Sequence, residues 1–284
     1  MSETPDDLSA DDLNHNLASL EIPVCPTIVM QVMAEAQKDE PDLRALSRTI
    51  SGDVAMSALA IKLANSPAFT SGAPVTSVSQ ALARLGTRNV VCVVVAVALK
   101  NSMTGVPPAV LEGFWNRTSL MAMAAGLIAR HHYGIPPDLA YTYALFHDAA
   151  IPVMMRHFPG YQETMAAATA QGTLLVDAED NHYQSTHAIV GALLVRNWGL
   201  PPAIRQAVRF HHDLDIHELP TKTLPSLGLS LIAVTQVAEH LVSELRQEQD
   251  LDVGEVLFAQ ACTHLGMDEH ELEELREELQ AMLA

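Results

Sequence analysis

Apolar residues in this chain recur three and four positions apart, in one short segment after another, and Pro, Gly or Asp stands at most of the breaks. That spacing gives a helix one apolar face and suits no alternating strand. Residues 27–37 place Ile28, Val29, Val32, Met33 and Ala36 on such a face, and residues 42–50 do the same with Leu43, Leu46 and Ile50. Asp53 is placed to cap a helix over 54–64, and Ser77 to cap one that runs to Leu85 and ends at Gly86. Helices are expected over 114–132, 138–157, 160–171, 176–198, 202–212 and 227–247. Asp268 and Glu271 resemble a capping box, and Leu272, Leu275, Leu279 and Met282 follow it as one stripe. Only residues 90–95, Val-Val-Cys-Val-Val-Val, have strand propensity. No other segment nearby would pair with them, so a fully buried helix is expected. The apolar share is 49% but only 5% of residues are aromatic, which again favours packed helices. The expected fold class is all-α.

Charge excludes one class of partner. The formal net charge is −18, and most of it lies at the ends. Residues 1–12 hold five acids and no Lys or Arg, and residues 268–278 hold seven acids against Arg276. The body remains acidic, so neither DNA nor RNA is expected to bind, because duplex affinity comes largely from neutralising phosphates. Cys25, Cys92 and Cys262 are too far apart for a disulfide framework or a metal knot, which suits a reducing cytoplasm. Residues 1–17 are an acidic leader without the basic start and apolar run of a signal peptide. The most apolar stretch, 90–99, is too short to cross a bilayer, and no membrane insertion is expected.

Thirteen histidines are present, nine of them between positions 131 and 217. His147-Asp148 is a doublet; His187 follows forty residues on, then the pair His211-His212. Imidazole and carboxylate converging from several helices can hold a divalent transition metal. Further motifs stand around them in a fixed order. The first half has Leu20-Glu21-Ile22-Pro23-Val24-Cys25-Pro26, then Ile50-Ser51-Gly52-Asp53-Val54-Ala55 leading to Leu63-Ala64-Asn65-Ser66-Pro67, then residues 77–86 with Ala81-Leu82 and Leu85-Gly86. The second half has Phe114-Trp115, Leu145-Phe146-His147-Asp148, His187-Ala188 through Gly191, Trp198-Gly199-Leu200-Pro201, and Ala207 to His212. Together these resemble the HDOD family of signalling domains over roughly residues 18–215.

The resemblance implies two packed helical subdomains, 18–105 and 106–215, the second HD-domain-like, with the break at Gly105-Val106-Pro107-Pro108. Residues 216–284 are expected to add helices that pack on the HD-like half. It also implies a signalling output or regulatory role through a protein partner or a small regulator. The helical surfaces near Leu63-Ala64-Asn65 and the Leu272 stripe are expected, from the acidic charge balance, to suit docking of a helix or another domain. The alternative is a metal-dependent phosphohydrolase of the HD type. Candidate ligands for one divalent metal are His147, Asp148, His187 and His211, with Arg117, His212, Trp115 and Trp198 as neighbours. Three departures argue against catalysis. Asn116-Arg117-Thr118 stands where the HD pattern supplies an early histidine, and a permanent cation is no ligand. The doublet continues Ala149-Ala150-Ile151, without the Gly-Lys of the HD-GYP enzymes. For the late aspartate, Gln236 and Glu239 are the nearest residues. Arg117 is expected beside Asp148, and the two tryptophans as core anchors.

Overall fold

The computed structural model describes residues 20–36, 38, 40–65, 72–248 and 253–283. The acidic leader, Ser66 and Pro67 lie outside them. The described residues form fourteen helices and no strand, so the all-α class holds. Two compact units divide the described residues, one made of those in 24–102 with 277–283, the other of those in 20–23 with 103–276.

The first unit holds α1 (Thr27–Ala36), α2 (Leu43–Ser51), α3 (Val54–Ala64) and α4 (Val78–Ser102), with α1, α2 and α3 each packed on α4. Asp53 caps α3 as expected, accepting from Met56 N, and Asp42 caps α2, accepting from Arg44 N and Ala45 N. Ser77 Oγ accepts from Gln80 N at 3.3 Å. Gly86 takes φ 76°, a backbone open to glycine, and there α4 breaks in two. The valine run beyond it is helical and largely buried. Helical backbone satisfies its own N–H and C=O groups, so the run needs no partner strand. Asn65, at the end of α3, donates to Val75 O at 2.8 Å and accepts from Val75 N at 2.7 Å. The Asn of the Leu-Ala-Asn motif is therefore a backbone clamp.

The second unit begins with α5 (Pro108–His131), which starts six residues earlier than expected because Pro108 suits the first helical position. Then come α6 (Pro137–Phe146), α7 (Ile151–His157), α8 (Tyr161–Gln171), α9 (Leu175–Tyr183), α10 (His187–Asn197), α11 (Pro202–Phe210), α12 (Ser226–Arg246) and α13 (Gly254–Leu265), while α14 (Glu269–Leu283) starts in this unit and its residues from 277 on belong to the first. Two expected helices are each two. Residues 138–157 break at 147–150, because Pro152 lacks an N–H and its ring would strike the carbonyl of Asp148 in a continuous helix. Residues 176–198 break at 184–186, where Gln184 adopts φ 53° and Thr186 caps α10 by accepting from Ile189 N. The helix α13 has no counterpart among the sequence expectations. The capping box at α14 is formed in both directions, Glu271 N to Asp268 Oδ1 at 2.9 Å and Asp268 N to Glu271 Oε2 at 3.2 Å.

Helix α12 runs against α5, α6, α11 and α13. Among the described residues it is the one helix long and apolar enough to cross a membrane, and 72% of its most apolar stretch is buried inside the protein. Trp198 is a core anchor, 2% exposed, edge-on to Phe146 at 5.6 Å and donating from Nε1 to Pro23 O at 2.9 Å. Trp115 is also buried, edge-on to Phe114 at 5.1 Å. Gly191 lets α10 close on its neighbours: a Cβ there would lie 2.7 Å from Val208 Cγ1 and 3.6 Å from His147 O. Close approach at this one position brings the ends of α6, α10 and α11 together.

Candidate metal centre

Every helix that contributes to the centre does so at an end. His147 follows the last turn of α6, and its Nδ1 bonds Ala144 O at 2.6 Å. His211 follows the last turn of α11, and its Nδ1 bonds Val208 O at 2.7 Å. A histidine after a helix can satisfy a last-turn carbonyl in this way. The bond also places the Nδ1 proton and points Nε2 inward. His187 opens α10, and its Nδ1 bonds Glu179 Oε2 at 2.8 Å. All three Nε2 atoms converge on Asp148. His147 lies 3.2 Å from Oδ2, while His187 and His211 lie 3.4 Å and 3.5 Å from Oδ1. His212 Nε2 stands 3.0 Å from His187 Nε2.

Asp148, His187, His211 and His212 therefore offer four ligand atoms all within 4.8 Å of one another. Metal–nitrogen and metal–oxygen bonds are about 2.0–2.2 Å, so such a group closes on one ion with small adjustments. The donor set, three imidazoles and a carboxylate, suits a borderline divalent transition metal. His211 Nε2 is buried and, beyond its 3.5 Å contact with Asp148 Oδ1, has no hydrogen-bond partner, which leaves it open to a ligand bond. His212, expected as a neighbour, supplies the fourth atom of this group, and His147 stands on the other oxygen of Asp148.

Charge is held in opposite senses across the cluster. Burial opposes charge on His147, but the Asp148 carboxylate beside it outweighs burial and pushes the ring up to about 9. His187 is raised well above the usual range against the same opposition, by Glu179 and Asp148. Burial lowers His211 and, with His211 and His187 beside it, lowers His212 further. Burial alone would lift Asp148, yet the three histidines hold it well below the usual carboxylate range.

A cavity of 280 Å³ adjoins the doublet, walled by Phe114, Met121, Ile151 and Leu175 and by Arg117 and Glu239. Arg117 donates to Glu239 Oε1 at 2.8 Å and to Glu248 Oε2 at 3.0 Å. These acids belong to α12 and the residues just beyond it, whereas the sequence pointed to Asp148. A second space of 20 Å³ is lined by His211, His212, Thr235, Gln236 and Glu239, where Thr235 Oγ1 and Gln236 Oε1 are buried without partners.

The model of the HDOD domain family matches residues 22–214. This chain belongs to the HDOD domain family. A Shewanella amazonensis SB2B protein named as a candidate phosphohydrolase has a similar fold, with TM-score 0.71 and 23% identity over 96% of this chain and 94% of its own. A Marinobacter aquaeolei VT8 protein named as a candidate signal transduction protein gives TM-score 0.70 and 20% identity over 94% of this chain and 58% of its own. An uncharacterized protein of Treponema pallidum (strain Nichols) is 24% identical over 198 residues, and the match takes in 38% of that relative's length. The family match ends before α12, so Thr235, Gln236 and Glu239 enter this HDOD site from outside the matched region. Glu179 was missed by sequence reasoning, because its link to His187 exists only once the helix breaks at 184–186.

Asp148→Ala in chelator-treated protein is expected to lower stability by ~3 kcal/mol, since it removes the anion that pairs with the buried histidines. An unchanged Tm would contradict this. The same protein should be pH-sensitive. A ring at about 9 when folded and near 6.5 when unfolded stabilises fully below 6.5 and loses that contribution as pH rises through 9. His187 acts with the same sign. Thermal melts from pH 6.5 to 9 should show Tm falling, and the fall should be shallower in Asp148→Ala; parallel slopes would refute the coupling.

Proposed function

We propose that this HDOD module is a non-catalytic output or regulatory element of bacterial signal transduction, acting in the cytoplasm by binding. In this reading residues 18–215 form the working domain and 216–284 complete its site. One divalent metal is held by Asp148, His187, His211 and His212, with His147 steadying Asp148 from its other oxygen. When bound, such an ion polarises oxygen ligands and acidifies a bound water.

The observation that carries the reading is the Arg117–Glu239 pair. Among the described residues lining the cavity, Asp148 and Glu239 are the acids. Glu239, 6% exposed, is engaged by a guanidinium that stays charged at any working pH. One carboxylate and neutral imidazoles suffice for a single ion. A second ion, as a two-metal hydrolytic mechanism requires, would have to share Asp148, because Arg117 engages Glu239.

The partner we favour is a signalling protein, and the likeness to the Marinobacter protein supports that choice. The cavity, at the small end of ligand pockets, suits a compact regulator. An excess of 34 acids over 16 Lys and Arg argues against DNA and RNA. The rival reading is a metal-dependent phosphohydrolase, favoured by the cavity that adjoins His147-Asp148 and by the likeness to the Shewanella protein.

Turnover separates the two. With Mn, Fe, Mg or Ni added, the protein should not hydrolyse cyclic dinucleotides or nucleotide phosphates above background. A metal-dependent rate that disappears in His147→Ala would establish the rival.

A further inference from the structure

Glu179 is fully buried, with 0% exposure, and none of the motifs points to it. Three donors converge on its two oxygens. Tyr161 O–H donates to Oε1. The backbone N–H of His187 and the Nδ1–H of its ring both donate to Oε2, each at 2.8 Å. An ionised carboxylate accepts hydrogen bonds and donates none, so the Nδ1 facing it carries a hydrogen and Nε2 is left for a ligand bond. That Nε2 lies 3.4 Å from Asp148 Oδ1 and 3.0 Å from His212 Nε2.

We infer that Glu179 is the positioning residue that sets the ring of His187 for metal binding, an inference that rests on the metal reading above. Capping alone does not account for it. Thr186 already caps α10 through Ile189 N, and a cap has no use for the bond to the His187 ring. The carboxylate is itself held. Tyr161 comes from α8, is 1% exposed, and stacks at 5.7 Å on Tyr183, which stacks at 4.5 Å on Phe158. This aromatic stack fixes the hydroxyl that fixes Oε1, and Oε2 then fixes the imidazole. The order of control runs from Tyr161 to Glu179 to His187.

Glutamine in place of Glu179 keeps the shape and exchanges one acceptor for a donor. Only one oxygen is then left to accept, and either Tyr161 or His187 faces an N–H. If the amide faces His187, Nδ1 becomes the acceptor and the ring keeps its hydrogen on Nε2, where a ligand lone pair is needed.

The test is Co(II) titration of chelator-stripped protein, followed by visible absorption and calorimetry, for wild type, Glu179→Gln and Tyr161→Phe. Loss of such an outer partner weakens metal binding about 10- to 100-fold. Glu179→Gln, with its far-UV circular dichroism retained, should bind Co(II) at least about tenfold more weakly and with an altered ligand-field band. Tyr161→Phe leaves the carboxylate and both His187 bonds, and should weaken binding by only a few-fold. Equal affinity in wild type and Glu179→Gln overturns the inference, as does an equal loss in the two variants, which would mark a packing effect. Both outcomes leave the metal reading standing. If Glu179→Gln does not fold, Tyr161→Phe decides: a few-fold weakening supports the inference and wild-type affinity overturns it. Failure of wild type to bind Co(II) overturns the metal reading and this inference with it.

Discussion

Asp148 has two carboxylate oxygens, and three imidazoles reach them: His147 at 3.2 Å, His187 at 3.4 Å and His211 at 3.5 Å. Each ring comes from the end of a different helix, so the carboxylate joins α6, α10 and α11 at one point. Its side chain keeps 21% exposure, while those of His147, His187 and His211 keep 5%, 1% and 6%. The anion is thus the wettest member of the group and the rings that need it are dry. Burying imidazolium is costly unless a carboxylate compensates. Gly191 permits the close helix contact that makes this convergence possible, and the breaks at 147–150 and 184–186 supply the ends on which the rings stand.

Much of this was legible in the sequence, for identifiable reasons. The helical class followed from apolar spacing, and Asp53, Ser77 and Gly86 marked their helix ends because capping is local chemistry. The histidine motifs pointed to His147, Asp148, His187 and His211 because their order along the chain is what the resemblance preserves. Periodicity failed at the two breaks. Apolar spacing continues across 138–157 and 176–198, and only Pro152 and the Ser185-Thr186 cap signal oppose it. Those breaks put His212 in the close group and bring Glu179 to His187, so neither relation was readable before the fold. Arg117 was singled out as an odd residue in the right place, but its acids lie more than a hundred positions away.

Helix α12 gives the site a feature that the family-matched segment does not contain. It brings Glu239 to Arg117 and leaves Thr235 Oγ1 and Gln236 Oε1 buried without partners beside His211 and His212. It is also the most apolar long helix and packs on α5, α6, α11 and α13. A helix so embedded cannot move without disturbing the helices that carry His147 and His211.

The central claim is that the cluster holds one ion in a setting unsuited to hydrolysis. Anomalous diffraction from crystals of the protein loaded with Co(II) or Zn(II) tests it most directly. The account predicts a single peak bonded to Asp148, His187, His211 and His212, with Glu239 still paired to Arg117. Two peaks sharing Asp148, with Glu239 turned away from Arg117 to ligate the second, would contradict it.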